Sequence, residues 1–107
     1  MKTQSNNKRK FVESDVYNIV ISFNENPIHT EECDMYEYDV VYVQKNELSY
    51  SNIVSTIIRD QYSDDKMQAI INNYLLDGSD EHVFEFNELQ SWRKQAKEVA
   101  KKVLENL

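Results

Sequence analysis

The sequence predicts an α+β fold, with an N-terminal antiparallel β-hairpin (or small sheet) followed by three α-helices, the last one longest. Two observations carry this. Between Val16 and Gln44, β-branched and aromatic side chains alternate with polar ones at the period-2 spacing of half-buried strands. From Tyr50 to Leu107 the apolar residues change to helical spacing, punctuated by serines, aspartates and the chain's only glycine.

Residues 1–10 are polar and offer nothing to bury, so they are expected to form a disordered basic leader ahead of a single domain over 11–107. In Val16–Phe23, the side chains of Tyr17, Ile19, Ile21 and Phe23 alternate onto one face, and Asn24-Glu25-Asn26-Pro27 supplies turn chemistry to end the strand. A second strand is expected at Met35–Gln44, with Tyr36, Tyr38, Val40 and Tyr42 on one face and Glu37, Asp39, Val41 and Val43 on the other. A long polar loop around Asn24–Asp34 would join the two. Three helices lying on one side of this hairpin should bury its tyrosine face.

In the second half, Ser49 or Ser51 can cap a helix with Tyr50, Ile53, Val54, Ile57 and Ile58 as its stripe. Its many β-branched residues suit a strand, but the i, i+3, i+4, i+7 spacing decides for helix. Ser63 caps the next, with Asp64 and Asp65 in the first turn where the helix dipole favours negative charge. Gly78 stands where a left-handed helix stop is expected. Ser79 opens the last helix, whose acids lead (Asp80, Glu81, Glu85, Glu88) and whose bases follow (Arg93, Lys94, Lys97, Lys101, Lys102), matching the dipole at both ends.

At 107 residues the chain has room for one core, and function is expected on its surface rather than in a deep cavity. The net charge of −7 is uneven: Lys2, Lys8, Arg9 and Lys10 sit in the first ten residues, leaving −11 over residues 11–107. Such a body repels phosphates, so direct nucleic-acid binding by the folded domain is disfavoured. The single cysteine, Cys33, allows no internal disulfide. No apolar run approaches the ~20 residues of a membrane span, and no signal peptide is apparent. No membrane contact is expected, and the expected setting is cytoplasmic or particle-associated.

The chemistry-bearing motifs are few. One glycine excludes phosphate-binding loops, which need several. The run His29-Thr30-Glu31-Glu32-Cys33-Asp34 gathers metal-capable side chains, yet it lacks a second ligand pair of recognisable spacing and reads as a solvated loop. Cys33, among acids that raise a thiol pKa, makes a poor nucleophile. Asp64-Asp65 and Asp77–Glu81 lack the alternating oxygens of a calcium loop and are explained as helix starts and stops. No catalytic, cofactor-binding or metal residue is therefore assigned, no cofactor is expected, and the protein is not expected to be an enzyme. A two-stranded hairpin has open edges, so either Phe11–Val12 adds a short third strand or another chain completes the sheet, and Val41 and Val43 lie opposite its tyrosines. Trp and Arg are enriched at interface hot spots. Tyr36, Tyr38, Val41, Val43, Trp92 and Arg93 are accordingly the candidate residues for a protein partner or a homo-oligomer.

The segments around Tyr50-Ser51-Asn52-Ile53-Val54, Tyr62-Ser63-Asp64-Asp65 and Trp92-Arg93-Lys94-Gln95-Ala96-Lys97 resemble small phage and prophage proteins of gut Bacteroidetes, over roughly the C-terminal 60 residues. The resemblance implies an uncharacterised protein or one from a virion or tail-assembly gene cluster, and brings no catalytic residues. With the open hairpin, it leads to the expectation of a non-enzymatic protein–protein interaction module, a phage or prophage structural or assembly accessory protein. The alternative is an acidic regulator that mimics DNA to occlude a nucleic-acid-binding enzyme, suggested by the −11 body.

Overall fold

The computed structural model of the protein describes residues 1–32 and 34–107. Four strands, β1 (Lys2–Ser5), β2 (Val12–Ser14), β3 (Asn18–His29) and β4 (Asp34–Gln44), form one antiparallel sheet in the order β1-β4-β3-β2. A short 3-10 turn at Lys45–Glu47 leads into α1 (Tyr50–Gln61), α2 (Asp64–Leu76) and α3 (Asp80–Glu105). Strands come first and three helices follow, the last one longest, as the sequence predicts.

The central β3–β4 pair runs past the expected stop at Asn24–Pro27. A register shift between Phe23 and Asn26 takes up the extra residue as a bulge, and Asn24 adopts φ 55° there, a left-handed backbone that asparagine tolerates better than most residues. Pro27 then pairs with Tyr36. Its missing N–H is harmless, because β2 and Phe11 cover β3 only as far as Ser22 and the rest of that side is a sheet edge. The expected Asn24–Asp34 loop shortens to the connection between His29 and Asp34.

Residues opposite one another in an antiparallel pair share a face. Ile19 faces Val43 and Ile21 faces Val41, while Val20 faces Tyr42 and Ser22 faces Val40. The helices cover the first set: Ile19, Ile21, Phe23, Val41 and Val43 join Ile53, Ile57, Trp92, Ala96 and Val103 in one core. The tyrosine face is therefore not the one beneath the helices. Both faces of β4 are apolar enough to be buried, and the isoleucines and phenylalanine of β3 decide between them by drawing Val41 and Val43 inward.

The N-terminal segment corrects a second expectation. Lys2–Ser5 is an edge strand on Asp39–Tyr36, not a disordered leader. Because β1 and β2 occupy opposite edges, the link Asn6–Phe11 must cross the sheet face turned away from the helices. Three strand spacings are about 14 Å, within reach of the chain between Ser5 and Val12 at up to ~3.5 Å per residue. The backbone N–H of Arg9 donates to the Tyr38 hydroxyl at 2.9 Å, and the Lys8 ammonium stands 5.8 Å from the centre of the Tyr36 ring. Val20, Tyr38 and Val40 are buried as a second small cluster on this face. Both edges of the hairpin thus gain partners from the chain itself, which removes the open hairpin as a reason to expect another subunit.

The β2–β3 turn is held by Asp15, whose Oδ1 accepts from the N–H groups of Asn18 (2.6 Å) and Tyr17 (2.9 Å). These bonds, Asn18 first, hold its carboxyl below the ordinary carboxylate range. A depressed native pKa gives stability that is present above the unfolded value of 3.8 and lost as acid protonates the folded group. Asp15→Ala should therefore flatten the acid limb of a stability-versus-pH curve measured by circular dichroism.

Ser49 and Ser63 cap α1 and α2, accepting from the N–H groups of Asn52 and Lys66. Gly78 does not make the expected left-handed stop: no glycine has positive φ, and α2 ends at an extended Asp77. A Cβ added at Gly78 meets nothing within 4 Å. Gly78→Ala is expected to leave the fold intact and stabilise it by about 0.4–1 kcal/mol through a less flexible unfolded chain, read as a shift in denaturant midpoint.

Candidate interaction surface

The part of the fold that does not serve the sheet is the helical hairpin of α2 and the start of α3. α2 buries only Ile70, and α3 buries its first side chain at Leu89, about two and a half turns after its start. The two helices are joined through a stack of Tyr74 on Phe86, with ring centres 4.1 Å apart and planes 8° from parallel. His82 Nδ1 lies 3.0 Å from the carbonyl oxygen of Asp77 and secures the turn between them. The molecule is broad and flat, 45 × 42 × 20 Å with a radius of gyration of 16.1 Å. A compact chain of this length has about 13 Å.

The arm carries exposed apolar groups, as does the β2–β3 turn at Val16 and Tyr17. Leu75 is 73% exposed, Leu76 86% and Phe84 63%. Residues 64–88 carry seven acids against Lys66 alone, a net −6, whereas residues 89–107 carry a net +3. Two hollows of about 400 and 330 Å³ flank α3 and share Tyr62 and Glu88. One reaches Phe84, Ser91 and the edge of Trp92; the other reaches Ile70 and Glu85 between α2 and α3. Burial, and after it the charge of Glu88, pushes the Tyr62 phenol above its ordinary value. The Lys66 ammonium lies over the Tyr62 ring at 5.3 Å. Among the described residues neither Glu85 nor Glu88 is in an ion pair.

The residues that the sequence singles out for a partner do not form one surface. Val41 and Val43 are buried in the helix-side core. Trp92 is buried there too, donating from Nε1 to the carbonyl oxygen of Ile57 at 3.0 Å and packing against Phe23 with ring centres 5.9 Å apart. Tyr38 is buried beneath the N-terminal link, and Tyr36 is half-buried beside it. Arg93 is half-buried and borders Met67 and Ile71 of α2. An aromatic or valine repeat reads alike whether its face is covered or bare. What could have pointed to the arm is a helical stripe whose neighbouring positions, Leu75, Leu76 and Phe84, are apolar as well.

Tyr38 does have a titration consequence. Burial, and secondarily the Glu25 carboxylate that accepts its O–H at 2.7 Å, raise its phenol above the ordinary 10.0, against the lowering contribution of the Arg9 N–H. A raised native pKa means stability that is complete below the unfolded value and lost as pH rises through the folded one. The protein should lose stability above about pH 10, and Tyr38→Phe should reduce that slope, with Tyr62 carrying the remainder. Denaturant melts at a series of alkaline pH values provide the check.

His29 and Asp34 are exposed and face each other at 3.0 Å at the tip of the β3–β4 hairpin. Cys33, the other part of the metal and thiolate readings there, lies outside the described residues. Among the described residues no group of His, Cys, Asp and Glu is placed to hold a metal ion, and no helix is long and apolar enough to cross a membrane. No family model matches the chain, and neither a curated protein nor a solved structure matches it.

Proposed function

We propose that the protein is a non-enzymatic protein–protein interaction module whose contact surface is the α2–α3 arm. The observation that carries this is the exposure of Leu75, Leu76 and Phe84 on a helical hairpin that contributes little to the core. Helices that bury so few residues of their own gain little from standing alone, and large exposed apolar groups on such an element are the usual mark of a docking site. A role as a phage or prophage structural or assembly accessory protein fits the resemblance of the C-terminal 60 residues. The acids of the arm are interleaved with leucine and phenylalanine and placed at helix starts, which suits contact with a protein better than imitation of a phosphate backbone.

The test is light scattering of the full chain, alone and mixed with the products of its neighbouring genes. A complex or oligomer is expected, and Leu75→Ser, Leu76→Ser and Phe84→Ser together should dissolve it without changing the circular dichroism spectrum. A monodisperse monomer in every mixture sinks the proposal.

A further inference from the structure

Resting on that reading, we infer that the hollow around Glu88 is the recognition groove of the arm and that its occupant is a basic amphipathic helix of the partner. Two apolar features of the arm compete for this role. Leu75 and Leu76, at the end of α2, are successive helical residues and so point about 100° apart; they form no concave surface. The hollow around Glu88 has walls. In one hollow α3 contributes Phe84, Ser91 and Gln95 at i, i+7 and i+11, facing Gln61 at the end of α1 and Tyr62 just after it, and the adjoining hollow adds Ala69 and Ile70 of α2 across the Glu88 side chain.

From Phe84 to Gln95 the groove runs about 16 Å along α3, three turns of a helix laid beside it. That length and an open side suit a helix seated by one apolar face rather than an enclosed small molecule. The Phe84 ring, mostly exposed on the rim, offers the contact for such a face.

Charge identifies the flanks of the occupant. Glu85 and Glu88 project at the groove without an ion pair among the described residues, and the arm around them carries −6. Lys66 lines the α2 side of the same surface, with its ammonium over the Tyr62 ring and in no ion pair with either glutamate, so two carboxylates face one cation there. Lysine or arginine on the flanks of the docked helix would pair with both, and the field of the arm would speed encounter at low salt. The same field opposes the pairing of two arms from identical chains, which makes a foreign basic helix the better occupant.

The experiment uses the isotopically labelled full chain. The probe is a synthetic peptide with leucines at i, i+3 and i+7 and lysines at the remaining positions. Two controls accompany it, one of the same composition in scrambled order and one with glutamates in place of the lysines. The expected result is a set of amide shifts centred on Tyr62, Phe84, Glu88 and Ser91, with affinity falling as salt rises. Glu88→Lys and Phe84→Ser, both at exposed positions, should each weaken binding tenfold or more, while neither control binds comparably. Equal binding of the scrambled peptide, shifts centred on Leu75 and Leu76, or concentration-dependent shifts without peptide (a second copy in the groove) would each overturn the inference. If the neighbouring-gene experiment yields a complex that the triple serine variant dissolves while the lysine peptide leaves the groove unchanged, the arm is the interaction surface and the basic helix is not its partner. If neither experiment shows association, both proposals fail.

Discussion

Trp92→Ala is expected to cost about 3–5 kcal/mol, the range for removing a large aromatic side chain from a packed core. Trp92 is the residue at which α3, α1 and the sheet meet. Its ring lies against Phe23 of β3, and its indole N–H donates to the carbonyl oxygen of Ile57 in α1. Ile57 lies within α1, whose own ladder still reaches the next carbonyl, Ile58, so the indole N–H takes a further lone pair of the Ile57 carbonyl and ties α3 to α1 while satisfying its own buried donor. Trp92→Phe separates the two contributions. It keeps most of the packing and loses only the hydrogen bond, at about 0.5–1.5 kcal/mol, since the helix still donates to the Ile57 carbonyl. In a domain whose total stability is of order 5–15 kcal/mol, the alanine variant should melt about 12 °C or more below the parent. A melting temperature within two or three degrees of the parent would mean that Trp92 is not the keystone of this core.

The second large effect is expected at the other end of the chain. Asp39 lies on the helix-facing side of β4 and is 1% exposed. Its Oδ2 accepts from Asn24 Nδ2 at 2.8 Å. Its Oδ1 lies 3.0 Å from the Lys2 ammonium, an ion pair whose angles fall short of a hydrogen bond, so Oδ1 has no hydrogen-bond partner among the described residues. Removing one member of a fully buried pair costs about 3–5 kcal/mol because it strands the other charge. Lys2 is 55% exposed and solvent screens it, so Lys2→Met alone should cost nearer ~1 kcal/mol. The double variant Lys2→Met, Asp39→Asn should recover much of that, since the stranded charge is then gone.

Deleting residues 1–10 is far more severe. It removes β1, the link over Val20, Tyr38 and Val40, and the Lys2 charge together. Uncovering two or three buried side chains at about 1.5–3 kcal/mol each brings the loss to roughly 3–9 kcal/mol. The truncated chain should be unfolded or molten at room temperature, with loss of near-ultraviolet dichroism. A truncated chain with an unchanged melt would show that the segment contributes nothing to stability.

These two regions also divide what the sequence makes legible from what it hides. Helices announce themselves through chemistry local to the chain: Ser63 followed by Asp64 and Asp65, or the acids-then-bases order along α3, need no knowledge of the rest of the fold. Strand alternation is equally local, which is why the residues sharing a face of β3 or β4 could be grouped correctly. Which face the helices would cover was not local. It follows from the pairing of Ile19 with Val43 and Ile21 with Val41, and β4 alone, with tyrosines on one side and valines on the other, is ambiguous.

Lys2-Thr3-Gln4-Ser5 was hidden for a different reason. As an edge strand its affinity for the sheet comes from backbone hydrogen bonds and one lysine, neither of which leaves a hydrophobic pattern. Gly78 shows the opposite failure, a strong local signal for a left-handed stop that the capping of Asp77 made unnecessary. The arm was concealed because an amphipathic helix has the same sequence signature whether its stripe packs on a core or only on its neighbour.

The strand order has a consequence for biosynthesis. β1 is made before the other three strands, yet its partner in the sheet is β4, and the two are paired between residues such as Lys2 and Asp39, more than thirty positions apart. A nascent chain emerging from the ribosome therefore carries Lys8, Arg9 and Lys10 exposed and untethered until Asp34–Gln44 has been synthesised and has paired with β3. Contacts that span so much sequence form late, after the loop-closure cost has been met. In pulsed hydrogen exchange, protection at Lys2–Ser5 should lag behind protection at Ile19–Phe23. The strand made before the others in the sheet is the last to be placed, and until then Val40 and Tyr38 lie open to any chaperone or partner that reaches the hairpin first.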